Sequence, residues 1–277
     1  MSVSYSQEVN IARDYYNSHD ADNFYAIIWG GEDIHIGLYA NDQDAITEAS
    51  HRTVRHMAER LSLNPEHKVL DIGSGYGGAA RYLASSFGCS ITALNLSEKE
   101  NERARTLNAE RGLADKINVI DGSFEAIPAA DNSFDVVWSQ DAILHSGHRE
   151  KVLQEVARVL KPGGHFIFTD PMAADDCPDG VLEPILNRIH LSSLGSPQFY
   201  RQTATEFGMK EVLFEEHTNQ LILHYSRVLE ETEKHQDKLI ETIDADYVER
   251  MKKGLSYWID GGKEGYLAWG IFIFEKQ

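Results

Sequence analysis

In the run VLDIGSGYGG at 69–78, the carboxylate of Asp71 stands two residues before the first of four glycines. Gly73, Gly75, Gly77 and Gly78 let the backbone turn sharply and lie flat against a ligand, because side chains there would block the approach. Gly73, Gly75 and Gly78 also match the dinucleotide fingerprint G-x-G-x-x-G literally, which would make the chain a nicotinamide-dependent oxidoreductase. Asp71 argues otherwise. A carboxylate sits badly where a pyrophosphate would come near, and it suits a cationic or amino-bearing ligand better. S-adenosylmethionine (SAM), with its sulfonium and α-amino groups, is such a ligand, and Asp71, Gly73, Ser74 and Gly75 would meet it first. About twenty residues on, Asn95 and Leu96 fall where ribose-binding groups belong. An amide replaces the usual acid there, and it still hydrogen-bonds a hydroxyl. Asn95 also reads as part of a helix N-cap with Ser97 and Glu100. Asp121 offers a carboxylate to an adenine amino group, Phe124 offers a ring to the adenine face, and Ser123 and Gln140 belong to the same set.

Five short apolar runs position these residues: Lys68 to Ile72, Ser90 to Asn95, Ile117 to Asp121, Phe134 to Ser139 and His165 to Asp170. Each reads as a buried strand. Helical patterns at Ala79 to Phe87 and Lys151 to Leu160 alternate with them, the second stopped by Lys161-Pro162-Gly163-Gly164. Residues 1–64 form a helical N-terminal cap, with helices at Ser6 to Asn17, Tyr25 to Ile28 and Ala45 to Leu61. Residues 65–170 are the cofactor-binding core. Residues 171–265 supply a substrate lid and the remaining sheet elements: a helix near Leu182 to Leu191, a strand at Lys210 to His217, and a charged helical stretch from Gln220 to Met251. Residues 266–277 return as a final strand, Tyr266 to Glu275. The alternation predicts an α/β fold in one compact unit: a doubly wound, mostly parallel, seven-stranded Rossmann-like sheet with helical caps over its carboxyl edge. Such sheets bind ligands at the carboxyl ends of their strands, and the residues named above all fall there.

Together VLDIGSGYGG, FDVVWS and RVLKPGGHFIF resemble the class I SAM-dependent methyltransferases over roughly 65–175. The flanks are more particular. NFYAIIWGGEDIHIGLY at 23–39, ALNLSEKENER at 93–103, TDPMAADDCPDGV at 169–181 and PQFYRQT at 197–203 resemble the sarcosine/dimethylglycine N-methyltransferases that make glycine betaine. That resemblance runs over nearly the whole chain. It implies methylation of dimethylglycine to betaine, with sarcosine as an earlier substrate.

Methyl transfer from a sulfonium is an in-line displacement, so the protein mainly aligns a nitrogen lone pair with the methyl group and excludes water. The nitrogen must be neutral when it attacks, and His145, at the reaction edge, or a water could take its proton. Aromatic faces stabilise the growing positive charge by roughly 0.5–2 kcal/mol each. The caps offer Tyr25, Trp29, Tyr39 and Tyr200, each of which could equally be packed against the core. Pro171 and Met172, just past the fifth strand and its Asp170, should wall the pocket. A guanidinium suits the substrate carboxylate. Arg201 is the first choice, with Arg188 and Arg227 behind it, although a surface ion pair is the favoured reading of those two. His35 is a further candidate; His190, His217 and His224 could line the lid, though each is more often a satisfied structural residue, and His51, His56, His67, His148 and His235 read as solvated surface. No HExxH or CxxC spacing points to a metal, and the acidic run at 175–179 reads as a turn.

With 26 basic and 44 acidic residues the 277-residue chain carries a formal charge of −18. Such a surface repels phosphate backbones and anionic lipid, so a small zwitterionic amine is the expected partner, without nucleic acid or membrane. The acidity fits life in high salt and fits an ordinary cytoplasmic protein equally. Two cysteines, no leader-like start and no apolar run of transmembrane length predict a cytoplasmic chain without a disulfide framework. The sequence leaves a homo-oligomer open. Other classes also stay open: a methyltransferase of another small or lipid-headgroup amine, the oxidoreductase, or a SAM-binding module without turnover.

Overall fold

The computed structural model describes residues 7–30 and 32–277. Ser6, the first residue of the predicted N-terminal helix, lies outside them. The chain opens with helices α1 (Gln7–Tyr16), α2 (His19–Ile28) and α3 (Ile46–Glu59). Strand–helix alternation follows: β1 (Lys68–Ile72), α4 (Gly78–Phe87), β2 (Ser90–Asn95), α5 (Glu98–Glu110), β3 (Ile117–Asp121), β4 (Phe134–Gln140), α6 (Arg149–Val159) and β5 (Leu160–Thr169). A two-residue strand β6 (Met172–Ala173) leads to α7 (Glu183–Ile189) and α8 (Pro197–Glu206), then to β7 (Met209–Glu216). The helices α9 (Thr218–Lys234), α10 (Gln236–Leu239) and α11 (Ala245–Lys263) precede β8 (Leu267–Ala268) and β9 (Gly270–Lys276).

The main sheet has seven strands in the order β3-β2-β1-β4-β5-β9-β7. Only β9 runs antiparallel to its neighbours. Strand order reverses between β1 and β4, and a crevice opens there at the carboxyl edge. Side chains alternate across the pleat. Leu70, Val137, Phe166, Phe168, Phe272 and Phe274 enter one core with α6 and α8. Val69, Val136, Trp138, Ile167, Ile271 and Ile273 enter the other with α3 and α4. Both faces are dry, which is why these strands read as apolar runs.

Helix α2 begins earlier than the sequence reading has it, at His19, α11 runs on past Met251 to Lys263, and three further differences bear on the sheet and its caps. The Lys161–Gly164 stop does not precede β5 but bulges within it, since Phe134 pairs with Leu160 and Val136 with His165. The predicted last strand breaks at Trp269: Leu267–Ala268 pairs with β6, and β9 starts at Gly270, where a Cβ would overlap the Glu215 carbonyl oxygen. Helix α8 went unread although its signal is ordinary. Ser196 caps it by accepting from the Phe199 N–H at 3.2 Å, and Pro197 follows in the first turn.

Phe272 is fully buried, with its ring centroid 4.1 Å from Phe214 and 5.3 Å from Phe168. Phe272→Ala should cost about 3–5 kcal/mol, read as a lower urea midpoint in equilibrium unfolding.

Candidate active site

At the end of β1 the chain enters the left-handed region at Gly73, with φ 73°, and a Cβ there would overlap that of Ala142. Gly78, the third glycine of the apparent dinucleotide fingerprint, has another duty. A Cβ on it would lie 2.7 Å from Cγ of Asp33, so it makes room for a carboxylate of the cap. Gly73, Gly75, Asn95, Leu96, Ser123, Phe124 and Gln140 line one cleft beside this turn, and Val9, Ala12 and Tyr16 of α1 cover it. Asp71 and Ser74 stand behind that wall. Asp121 does not reach it: β3 is the outermost strand, and the Asp121 carboxylate accepts from Asn101 Nδ2 at 2.7 Å and Arg105 Nη2 at 3.1 Å.

The acid missing at Asn95 comes from one helical turn later. Glu100 lines the cleft, is buried, and accepts from Asn95 Nδ2 at 2.9 Å, while Ser97 caps the Glu100 N–H at 3.2 Å. Burial pushes the Glu100 and Asp71 carboxyls up to about 7, and raises Asp141 at the same edge. Ser74 Oγ and Gln140 Nε2 are buried without a hydrogen-bond partner. Carboxylates short of positive charge and unspent polar atoms fit a ligand carrying a sulfonium, an ammonium and ribose hydroxyls.

A second cavity of about 640 Å³ adjoins this cleft, and Ala12, Tyr16, Ile34, Asp141 and His145 line both. His145 sits on a short 3-10 turn, Ile143–His145, and its Nε2 is 2.8 Å from the Tyr16 hydroxyl. Burial, with Arg149 and Arg188 nearby, lowers the His145 pKa to about 4, so the ring is neutral. Tyr200 and Asp170 hold that turn from behind. The Tyr200 hydroxyl donates to Asp170 Oδ2 at 2.6 Å, and the Leu144 N–H donates to Asp170 Oδ1 at 2.9 Å. Tyr25 and Trp29 line the cavity, with ring centroids 5.1 Å apart, as do His35 and Pro171.

Five expected substrate contacts do not line it. Tyr200 and Asp170 are spent on each other. Met172 is buried in the core beside α6 and α8. The Tyr39 hydroxyl is 3.0 Å from His224 Nδ1. Arg201 lies on the outer face of the sheet, bonded to Glu211 at 2.7 Å with its guanidinium over Phe214 at 4.9 Å. Helix α8 turns Tyr200 inward and so turns its neighbour out. Arg188 of α7, in contrast, lines the cavity and has no carboxylate partner among the described residues. Sequence reasoning missed Tyr16, Asp141, Tyr225, Tyr247 and Arg250, whereas His190 and His224, weighed as lid residues against a structural reading, do line the cavity. The outlying trio His56, Glu215 and His217 is an ion-pair cluster around Arg60, whose Nε donates to Glu215 at 2.7 Å.

The strand order and the glycine-turn cleft define a class I SAM-dependent methyltransferase. Residues 70–168 match the methyltransferase-domain family. The chain is 57% identical over 271 residues to the sarcosine/dimethylglycine N-methyltransferase of Halorhodospira halochloris, covering 98% of this chain and 97% of that one. It is 56% identical to the enzyme of the same name from Aphanothece halophytica, covering 96% of each chain. A crystal structure described as a sarcosine dimethylglycine methyltransferase from Galdieria sulphuraria superposes with a TM-score of 0.91 at 45% identity, over 95% of this chain and 99% of that one. The chain belongs to the sarcosine/dimethylglycine N-methyltransferase family, and SAM is its methyl donor. Family membership sets the oxidoreductase reading aside.

A cation beside Glu100 and Asp141, which line the cleft, favours their ionised forms, so SAM binding should release protons near neutrality. Affinity should rise several-fold from about pH 6 to about pH 8, as measured by calorimetry in buffers of different ionisation enthalpy. Gly73→Val should abolish binding by the same method, because its side chain meets Ala142 and its φ is forbidden.

Proposed function

We propose that this enzyme methylates the nitrogen of dimethylglycine, and of sarcosine before it, to give glycine betaine. One observation carries the reading: an aromatic-walled cavity meets the cofactor cleft at Tyr16 and His145 and holds, at Arg188, a guanidinium with no carboxylate of its own. Bound at the cleft, SAM supplies an electrophilic methyl group. Everything else falls to the chain. Arg188 receives the substrate carboxylate, a pairing worth about 1.5–3 kcal/mol. Tyr16, Tyr25 and Trp29 turn ring faces toward the amine and favour the permanent cation that forms there. Both substrates enter as ammonium ions, and the lone pair is free only after a proton leaves. Tyr16, kept a neutral phenol by burial, donates to the neutral His145 Nε2, so the Tyr16 oxygen accepts the ammonium proton as its own passes to Nε2, leaving a neutral amine, a neutral phenol and a protonated His145. Burial of the site excludes water from the displacement.

In this reading residues 65–170 hold the cofactor, while 1–64 and 171–265 close over the amine. Betaine is a compatible osmolyte, and the −18 charge suits a cytoplasmic enzyme working in high salt. No helix among the described residues is long and apolar enough to cross a membrane.

Incubation with methyl-labelled SAM and glycine, sarcosine or dimethylglycine, followed by mass spectrometry, should yield betaine from dimethylglycine. Absence of betaine overturns the substrate while leaving the methyl donor intact. Tyr16→Phe and His145→Asn should each lower kcat about 10²–10⁴-fold with SAM affinity close to wild type, read by steady-state kinetics and calorimetry.

A further inference from the structure

Helix α11 presents Tyr247, Met251, Leu255 and Trp258 to the substrate cavity, with the exposed Arg250 at its edge. Their spacing marks one face of a helix. Gly254 lies on the same face, three residues after Met251 and four before Trp258, and is buried. Glycine is the poorest helix former after proline, so its presence mid-helix calls for a cause. The cause at this position is Arg188. A Cβ on Gly254 would overlap Nε and Cδ of Arg188 and stand 2.8 Å from Cζ. The guanidinium thus crosses α11 through a notch that only glycine leaves open, and its Nη2 comes to rest against Met251 Sδ. The other two glycines of this helix are different. A Cβ on Gly261 would crowd Leu267 at 3.3 Å, and one on Gly262 would overlap Ile222, so at both positions the space is taken by an apolar side chain and not by a charged one.

We propose that Gly254 is a specificity-determining positioning residue: its missing side chain seats the Arg188 guanidinium in the cavity, where it captures the carboxylate of the amino-acid substrate. This rests on the reading of Arg188 as the carboxylate anchor. Any side chain at 254 pushes the guanidinium along α7 and out of register with the amine site, while the helix itself tolerates the change. The loss falls on substrate capture and spares methyl-donor binding and the reacting groups at Tyr16 and His145.

The test is a double-mutant cycle in the full-length enzyme with dimethylglycine as substrate. Gly254→Ala should raise KM about tenfold, with kcat and the SAM dissociation constant near wild type and the melting temperature equal or higher. Arg188→Gln should raise KM at least as much. Adding Gly254→Ala to Arg188→Gln should then raise it no further, because the group that the notch serves is gone. An unchanged KM in Gly254→Ala, alongside a raised KM in Arg188→Gln, overturns the notch and leaves the anchor standing. An unchanged KM in Arg188→Gln overturns both. Full additivity in the double variant, or a joint fall of melting temperature, kcat and SAM affinity in Gly254→Ala, assigns Gly254 to packing alone.

Discussion

Closure of the site depends on one half-buried carboxylate, Asp141. It follows β4 at the switch point of the sheet in a left-handed backbone conformation, φ 49°, which aspartate tolerates better than most residues. Its Oδ2 accepts from the Ile36 N–H at 2.7 Å and its Oδ1 from Trp269 Nε1 at 2.8 Å. The first bond ties down the N-terminal cap, and the second ties down the corner between β8 and β9. Asp141 therefore draws both ends of the chain over the crevice while lining the cleft and the cavity at once. Bonds to a charged group of this kind contribute about 1.5–3 kcal/mol, against the cost of keeping the carboxylate dry.

The same low-dielectric interior sorts the ionisable groups by sign. Carboxyls at the edge, Asp71, Glu100 and Asp170, are pushed up to about 7 by burial. His145 and His224 are pushed down by it, to about 4 and about 3. His224 keeps its ring neutral and accepts the Gly37 N–H at Nδ1, 3.1 Å away, which adds a second tie on the cap. The cleft that a sulfonium must enter is thus lined by no lysine or arginine among the described residues, while the adjoining cavity holds Arg188 for a carboxylate. Methyl transfer moves a positive charge from sulfur to nitrogen, and the walls are suited to both ends of that path.

Much of this was legible in the chain. Buried parallel strands announce themselves as apolar runs, so β1, β2 and β3 matched their readings residue for residue, and the glycine turn with Asp71 pointed to the methyl donor. What stayed hidden depended on tertiary geometry. Tyr200 and Arg201 are neighbours in an aromatic, basic stretch, and only the helical phase of α8 sends one inward to Asp170 and the other outward to Glu211. Asp121 sits at a strand end as expected, but an edge strand leaves it facing Arg105. Tyr16 lies 129 residues from His145 in sequence, and no local pattern joins them. A weak signal for Asp141 did exist, as a carboxylate directly after an apolar strand.

The most direct test of this account is a crystal structure of the enzyme with S-adenosylhomocysteine and dimethylglycine bound together. The account predicts the amine nitrogen at the junction lined by Tyr16, Asp141 and His145, with the substrate carboxylate paired to the Arg188 guanidinium. A carboxylate held elsewhere, with Arg188 unengaged, would contradict it.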